Sequence, residues 1–137
     1  MFSGISAYSP DDTVSRLTQA AEAAGYRVLA HIYASNNVKN IGIDTPNHQV
    51  MEIFRPDYAA KVWSYKPAAG ISIPIRLHVF ENDQDAVQVD CQQASETLGV
   101  HDIQALSDFA NRIDEDFKTL LATVCESITT TPIHVSA

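Results

Sequence analysis

The chain is poor in cysteine. Cys91 and Cys125 lie 34 residues apart, and neither belongs to a Cys-x-x-Cys pair. This spacing argues against a disulfide framework and against a zinc site, and without Cys-x-x-Cys-His no haem can be attached covalently. Because Cys91 alternates with Val87 and Val89, we predict that it is a buried thiol packing as a small hydrophobic residue.

Several other common signals are also missing. The longest uncharged apolar run is much shorter than the roughly 20 residues that span a bilayer, and the start MFSGISAYSP does not resemble a signal peptide. The simplest expectation is therefore a cytoplasmic protein. The five glycines are too scattered to cradle a phosphate, and there is no G-x-S-x-G motif for a nucleophilic serine.

Positive charge is scarce and unevenly placed. The formal net charge is −8, which argues against nucleic-acid binding because phosphate contacts supply most of that affinity. Residues 27–76 nevertheless carry six Lys or Arg against three acids, whereas residues 77–137 carry two against eleven. The middle segment is therefore the part of the chain that could hold an anion.

The 137 residues are enough for one domain with its own core. Ser9-Pro10 followed by two aspartates predicts a helix start, and Gly25 predicts its end. A second, amphipathic helix is predicted from Ile103 to Val124, because apolar residues recur there at steps of three and four. A shorter helix is predicted between Pro56 and Lys66. Strands are predicted for the remaining patterned segments: 2–8, 26–33, 38–43, 49–55, 72–81 and 85–92.

These elements predict a two-layer α+β sandwich, with a mainly antiparallel sheet and the helices packed on one face. Residues 1–127 would form the single domain, and residues 128–137 a loosely ordered C-terminal tail.

The strand around Arg76 predicts where a function could lie. Ile75, Leu77 and Val79 alternate with Arg76, His78 and Phe80, so one side is apolar and the other is basic and aromatic. In the strand 26–33 the same alternation predicts Arg27, His31 and Tyr33 on that second side. If helices cover the apolar side, the second sides of the strands converge on one exposed face.

An exposed sheet face with aromatic groups suggests contact with a partner, so we expect a homodimer and a small, partly apolar or anionic ligand beside the interface. Arg55 and Arg76 would meet an anion. The predicted ligand-binding residues are Arg55, Trp63, Arg76, His78, Phe80, Tyr33 and His31. No catalytic residue is predicted.

Two alternatives stay open at this stage. Histidine can ligate haem or a metal ion, which makes His31 and His78 candidates for a non-covalent haem or metal site. Histidine can also act as a general base, so the same two residues could serve a hydrolase or an isomerase. For each histidine, a structural role inside a hydrogen-bond network is the plainer interpretation.

The chain resembles a known family in a set of scattered features. They are the Ser-Pro-acid helix start with Thr13 and Leu17, the Gly25-Tyr26 step, Gly42, Ile53-Phe54 with Pro56, and Ile73-Pro74-Ile75-Arg76. Together they resemble the family catalogued as domain of unknown function 302, over roughly residues 2 to 92. The resemblance implies a compact, commonly dimeric α+β fold with no agreed activity.

The chain departs from that family's pattern at two positions. Tyr33-Ala34-Ser35 stands where members often carry an acid-histidine pair, and Phe54-Arg55-Pro56 stands where Phe-Gly-Asn-Pro is common. The resemblance therefore implies the fold and leaves the chemistry to the residues themselves.

Overall fold

A computed structural model describes residues 1–132. Its strands form one antiparallel sheet in the order β2-β3-β4-β5-β1-β6. The strands are β1 (Phe2–Ser6), β2 (Arg27–Ile32), β3 (His48–Phe54), β4 (Ile75–Glu81), β5 (Val87–Cys91) and β6 (Cys125–Thr130). The helices are α1 (Pro10–Ala23), α2 (Ala34–Lys39), α3 (Pro56–Tyr65), α4 (Ala94–Gly99) and α5 (Gln104–Ala122), with a 3₁₀ helix over Pro67–Ser72. The predicted α+β class with an antiparallel sheet and packed helices is confirmed.

The first helix follows its sequence signals closely. The Ser9 side chain caps α1 by accepting a hydrogen bond from the Asp12 backbone N–H, and Pro10 occupies the first turn. Gly25 follows the helix with a φ of 86°, a left-handed value that favours glycine. The chain then enters β2 through Tyr26, whose ring is buried.

The core lies between the helices and one face of the sheet. Leu17 on α1 and Phe117 on α5 are fully buried, as are Leu77 and Val79 on β4. The predicted stripe of the C-terminal helix is thus packed on the sheet. Cys91 is buried in the same core as a free thiol, as expected.

The predicted strand 38–43 is wrong, because α2 extends to Lys39 and a turn follows it. The helix ends at Lys39, and the turn after it passes through Gly42, whose φ is 87°, with hydrogen bonds from the Gly42 N–H to the Lys39 carbonyl and from the Ile43 N–H to the Val38 carbonyl. This pair of bonds is the usual way in which a left-handed glycine closes a helix. The apolar residues Val38, Ile41 and Ile43 therefore belong to a helix end and the turn after it.

The predicted loose tail is also wrong in its first residues. Residues 128–130 belong to β6, which pairs with β1 at the edge of the sheet through Phe2–Thr130 and Gly4–Ile128. Residues 133–137 lie outside the described part of the chain. Within residues 1–132, no helix is long and apolar enough to cross a membrane.

A β-bulge in β2 controls which side chains reach which face. Val28 lies opposite Ile53, but the next paired residue, Ala30, lies opposite Glu52, so Leu29 is an extra residue in the ladder. One extra residue reverses the alternation of everything that follows it. His31 is therefore opposite the buried Met51, on the helix-covered face.

Candidate functional site

The sheet has one face packed under the helices and a second face, called here the open face. The open face carries the residues that alternate with the core positions, and their side chains are half-buried or exposed. They come from five strands: Arg27, Ala30 and Ile32; His48, Val50, Glu52 and Phe54; Arg76, His78 and Phe80; Gln88 and Asp90; and Ser3 and Ile5.

Three rings on neighbouring strands form a stack on this face, called here the imidazole cluster: His48, His78 and Phe80. The His78 and Phe80 rings lie 4.2 Å apart at 15°, and the His48 and Phe80 rings lie 5.6 Å apart at 3°. His48 Nδ1 and His78 Nε2 are 2.9 Å apart, so one proton is shared between the two imidazoles. The cluster thus places two ring nitrogens at hydrogen-bond distance on an open surface.

The strand register holds this cluster in place. His48 is paired with Phe80, and His78 is paired on one side with Val50 and on the other with Asp90. Asp90 accepts hydrogen bonds from the Ser3 hydroxyl at 2.6 Å and from the Gln88 amide at 2.9 Å.

Partial burial lowers the pKa of His78 below its ordinary value, and the neighbouring His48 lowers it further, while the Asp90 carboxylate opposes both effects.

The placement of His31 on the open face, predicted from regular alternation, is wrong because of the β2 bulge. His31 Nε2 lies 2.7 Å from Gln49 Oε1 on the covered side of the sheet. The fully buried Gln49 donates in turn to Asp11 at the start of α1 and to Asn47. An amide oxygen only accepts, so His31 carries its proton on Nε2 and serves as a structural donor. A structural role inside a hydrogen-bond network, the plainer interpretation of this histidine, therefore fits the geometry.

Three other predicted ligand residues lie away from the open face. Arg55 precedes α3, where it pairs with Asp57 at 2.9 Å and stacks 4.0 Å above the Tyr58 ring. Trp63 lies on α3 with 47% of its surface exposed, and its indole nitrogen is close to Gly70. Tyr33 lies just before α2, and its ring is 4.3 Å from the His31 ring at an angle of 36°. The seven predicted residues therefore do not converge on one site.

Arg76 does lie on the open face, at one end of a cleft. It donates to Glu52 on the neighbouring strand at 3.0 Å. The cleft has a volume of about 600 Å³. Its rim includes Ile71 and Val100, which are 87% and 76% exposed. The cleft therefore has two exposed aliphatic side chains beside the ion pair between Arg76 and Glu52.

His48 is a site residue that sequence reasoning missed. It follows Pro46-Asn47, which is typical of a turn, so the strand was predicted to begin one residue later. Once β3 begins at His48, alternation places it on the same side as Glu52 and Phe54. Among residues 1–132, no group of three or more His, Cys, Asp or Glu side chains is placed to hold a metal ion.

The fold and its uncovered sheet face define a small α+β protein with an antiparallel sheet. The chain belongs to the family described as Domain of unknown function DUF302, whose profile matches residues 3–124. The match extends through the C-terminal helix, beyond the resemblance over residues 2 to 92. This confirms the predicted family.

A solved structure shares the fold. It is an uncharacterized conserved DUF302 protein from Bacillus stearothermophilus, with a TM-score of 0.83 and 19% sequence identity. The similarity covers 89% of this chain and 95% of the other. No curated protein matches the chain. At this identity the likeness extends to the fold alone, so the chemistry has to be argued from the side chains.

Proposed function

We propose that this protein is a small cytoplasmic binding module that works as a homodimer and holds a small, partly apolar ligand. The observation that carries the proposal is the open face, where apolar and aromatic side chains lie on the side of the sheet away from the helices. The two free thiols suit a reducing compartment.

The open face is the proposed dimer interface. Ile5 and Ile32 are 49% and 39% exposed on strands near its two sides, and the imidazole cluster lies between them. Exposed apolar groups on one face favour association, and most soluble oligomers are symmetric dimers that join identical patches. A second copy of this chain can cover the open face without any other protein.

The cleft beside Arg76 is the proposed ligand site. Arg76 is already paired with Glu52, and Arg55 with Asp57, so an anion would have to displace a carboxylate at either arginine. The exposed Ile71 and Val100 offer apolar contact without such competition. The geometry therefore favours a partly apolar ligand over a purely anionic one.

Sedimentation equilibrium tests the dimer. The double variant Ile5→Glu/Ile32→Glu places charge on the open face and should shift the protein to monomers at micromolar concentration. Ile41→Glu is the matched control, because Ile41 is 74% exposed but lies in the turn after α2, outside the sheet. A wild-type monomer at the same concentration would contradict the proposed dimer.

Native mass spectrometry of protein purified from its own host tests the ligand. We expect a retained small molecule that is lost in the double variant Ile71→Ser/Val100→Ser and kept in Ile41→Ser. A ligand held equally by all three proteins would place the site elsewhere. Protein that carries no molecule, and that binds none of a panel of small amphipathic compounds, would contradict the ligand.

A further inference from the structure

The two histidines of the imidazole cluster lie on adjacent strands with their ring nitrogens facing each other. His48 Nδ1 and His78 Nε2 are separated by 2.9 Å. Metal–imidazole bonds are about 2.0–2.1 Å long, so two imidazoles bound to one ion at 90–110° have nitrogens about 2.9–3.4 Å apart. The observed separation equals the short end of that range.

We propose that His48 and His78 together bind one divalent transition-metal ion. The ion takes the place of the proton shared by the two rings, and the ring that carried this proton becomes protonated on its other nitrogen instead, so both imidazoles stay neutral. Each ring turns about its Cβ–Cγ bond so that its lone pair points at the ion. Both side chains are half-buried, so water can occupy the remaining coordination positions.

The residues around His48 and His78 favour the binding of a metal ion. Phe80 stacks on both rings and limits the orientations that they can adopt. Asp90, directly across from His78 in the ladder, supplies a negative charge next to the site.

The ligand type determines which ions should bind. Imidazole suits copper, nickel and zinc, and the affinity of a nitrogen site rises to Cu²⁺ and falls again at Zn²⁺. Mg²⁺ and Ca²⁺ prefer oxygen ligands and should not bind here. The two ligands come from one chain, and they lie on the face that is proposed as the dimer interface.

Isothermal titration of the full-length protein with CuCl₂, ZnCl₂ and MgCl₂ tests the proposal. We expect one Cu²⁺ per chain, weaker Zn²⁺ binding and no Mg²⁺ binding. His48→Gln and His78→Gln should each weaken Cu²⁺ binding at least about tenfold, since even loss of a residue that only supports a ligand costs 10–100-fold. His101→Gln is the matched control, because His101 contacts Ser72 and lies outside the cluster.

Electron paramagnetic resonance of the Cu²⁺ form provides a second readout. The wild-type spectrum should show coupling to two imidazole nitrogens, and each site variant should show coupling to one at most. Circular dichroism checks that the variants fold. Equal Cu²⁺ affinity in wild type, His48→Gln and His78→Gln would overturn the proposal, and so would an equal loss in His101→Gln.

Discussion

Two histidines on opposite faces of the same sheet, His31 and His78, show how position decides what an imidazole can do. On the covered face, His31 is held by an amide that is itself fully buried and bonded to α1. On the open face, His78 is held by another imidazole, His48, which can also give up its proton. The first arrangement fixes the helix layer to the sheet, and the second leaves two nitrogens available for chemistry.

The bulge at Leu29 is what separates these two environments. If Leu29 were regularly paired in the ladder instead of bulged, β2 would alternate through Ala30, and His31 would lie on the open face beside the other rings. The bulge brings His31 beneath the helices, where it donates a hydrogen bond to the Gln49 side-chain oxygen.

The largest expected effect comes from deleting one residue of β4. Deletion of His78 leaves Leu77 and Val79 adjacent, so one of these buried side chains must turn toward the open face. Loss of such a core side chain costs about 2–5 kcal/mol of the free energy of unfolding. Urea unfolding followed by circular dichroism measures it.

Deletion of Leu29 is the matched control. Leu29 is 56% exposed and is the extra residue of the bulge. Its removal therefore leaves a regular strand in which all the remaining side chains stay on their present faces. We expect a loss of at most about 1 kcal/mol. Equal losses for the two deletions would contradict the assigned registers.

The fold could be predicted wherever a periodic pattern was long or a cap was explicit. Three patterns each determine one type of element: the apolar stripe of α5, the Ser9-Pro10 start of α1 and the alternation around Leu77. The strand β6 could not be predicted, because its sequence CESITT is short and mostly polar and is ordered by pairing with β1. Its stability comes from residues more than 100 positions away.

The candidate site was predictable only in part, for a related reason. Arg76, His78 and Phe80 lie on a regular strand, so their face follows from alternation alone. The bulge in β2 contains no glycine or proline, so nothing in the sequence indicates that His31 changes sides. The contact between His48 and His78 depends on cross-strand register, which a single sequence does not specify.

The next prediction compares the loss of one glutamine on each face of the sheet, Gln49 on the covered face and Gln88 on the open face. Gln49→Met keeps the side-chain length but leaves His31, Asp11 and Asn47 without their amide partner. Unsatisfied partly buried groups cost about 1–3 kcal/mol, and we expect that loss in urea unfolding.

Gln88→Met makes the same change on the open face. Its partners, Ser3, Asp90 and Asn82, border the exposed side of the sheet, where water can replace the amide. The expected loss is below about 1 kcal/mol. A larger loss for Gln88→Met than for Gln49→Met would mean that water does not reach Gln88 and its partners.

The smallest effect concerns the thiols of the covered side. Burial raises the pKa of Cys125 to about 11 and raises that of Cys91 further, with Asp114 adding to the effect at Cys91. A thiol whose pKa is raised by folding stabilises the fold fully below its unfolded pKa, and this contribution is lost as the pH rises through the folded pKa. Between pH 7 and 8 we therefore expect no change in stability from either thiol.

Thiol labelling with a disulfide reagent measures this directly, because only the thiolate reacts. Both cysteines should react in denaturant at pH 8, and neither should react at a comparable rate in the native protein. The native rate of Cys125 should rise as the pH approaches about 11, since that is where its thiolate forms. Rapid native labelling of a Cys125→Ala variant at pH 8 would show that Cys91 is reached by solvent, and the covered face would then not be closed.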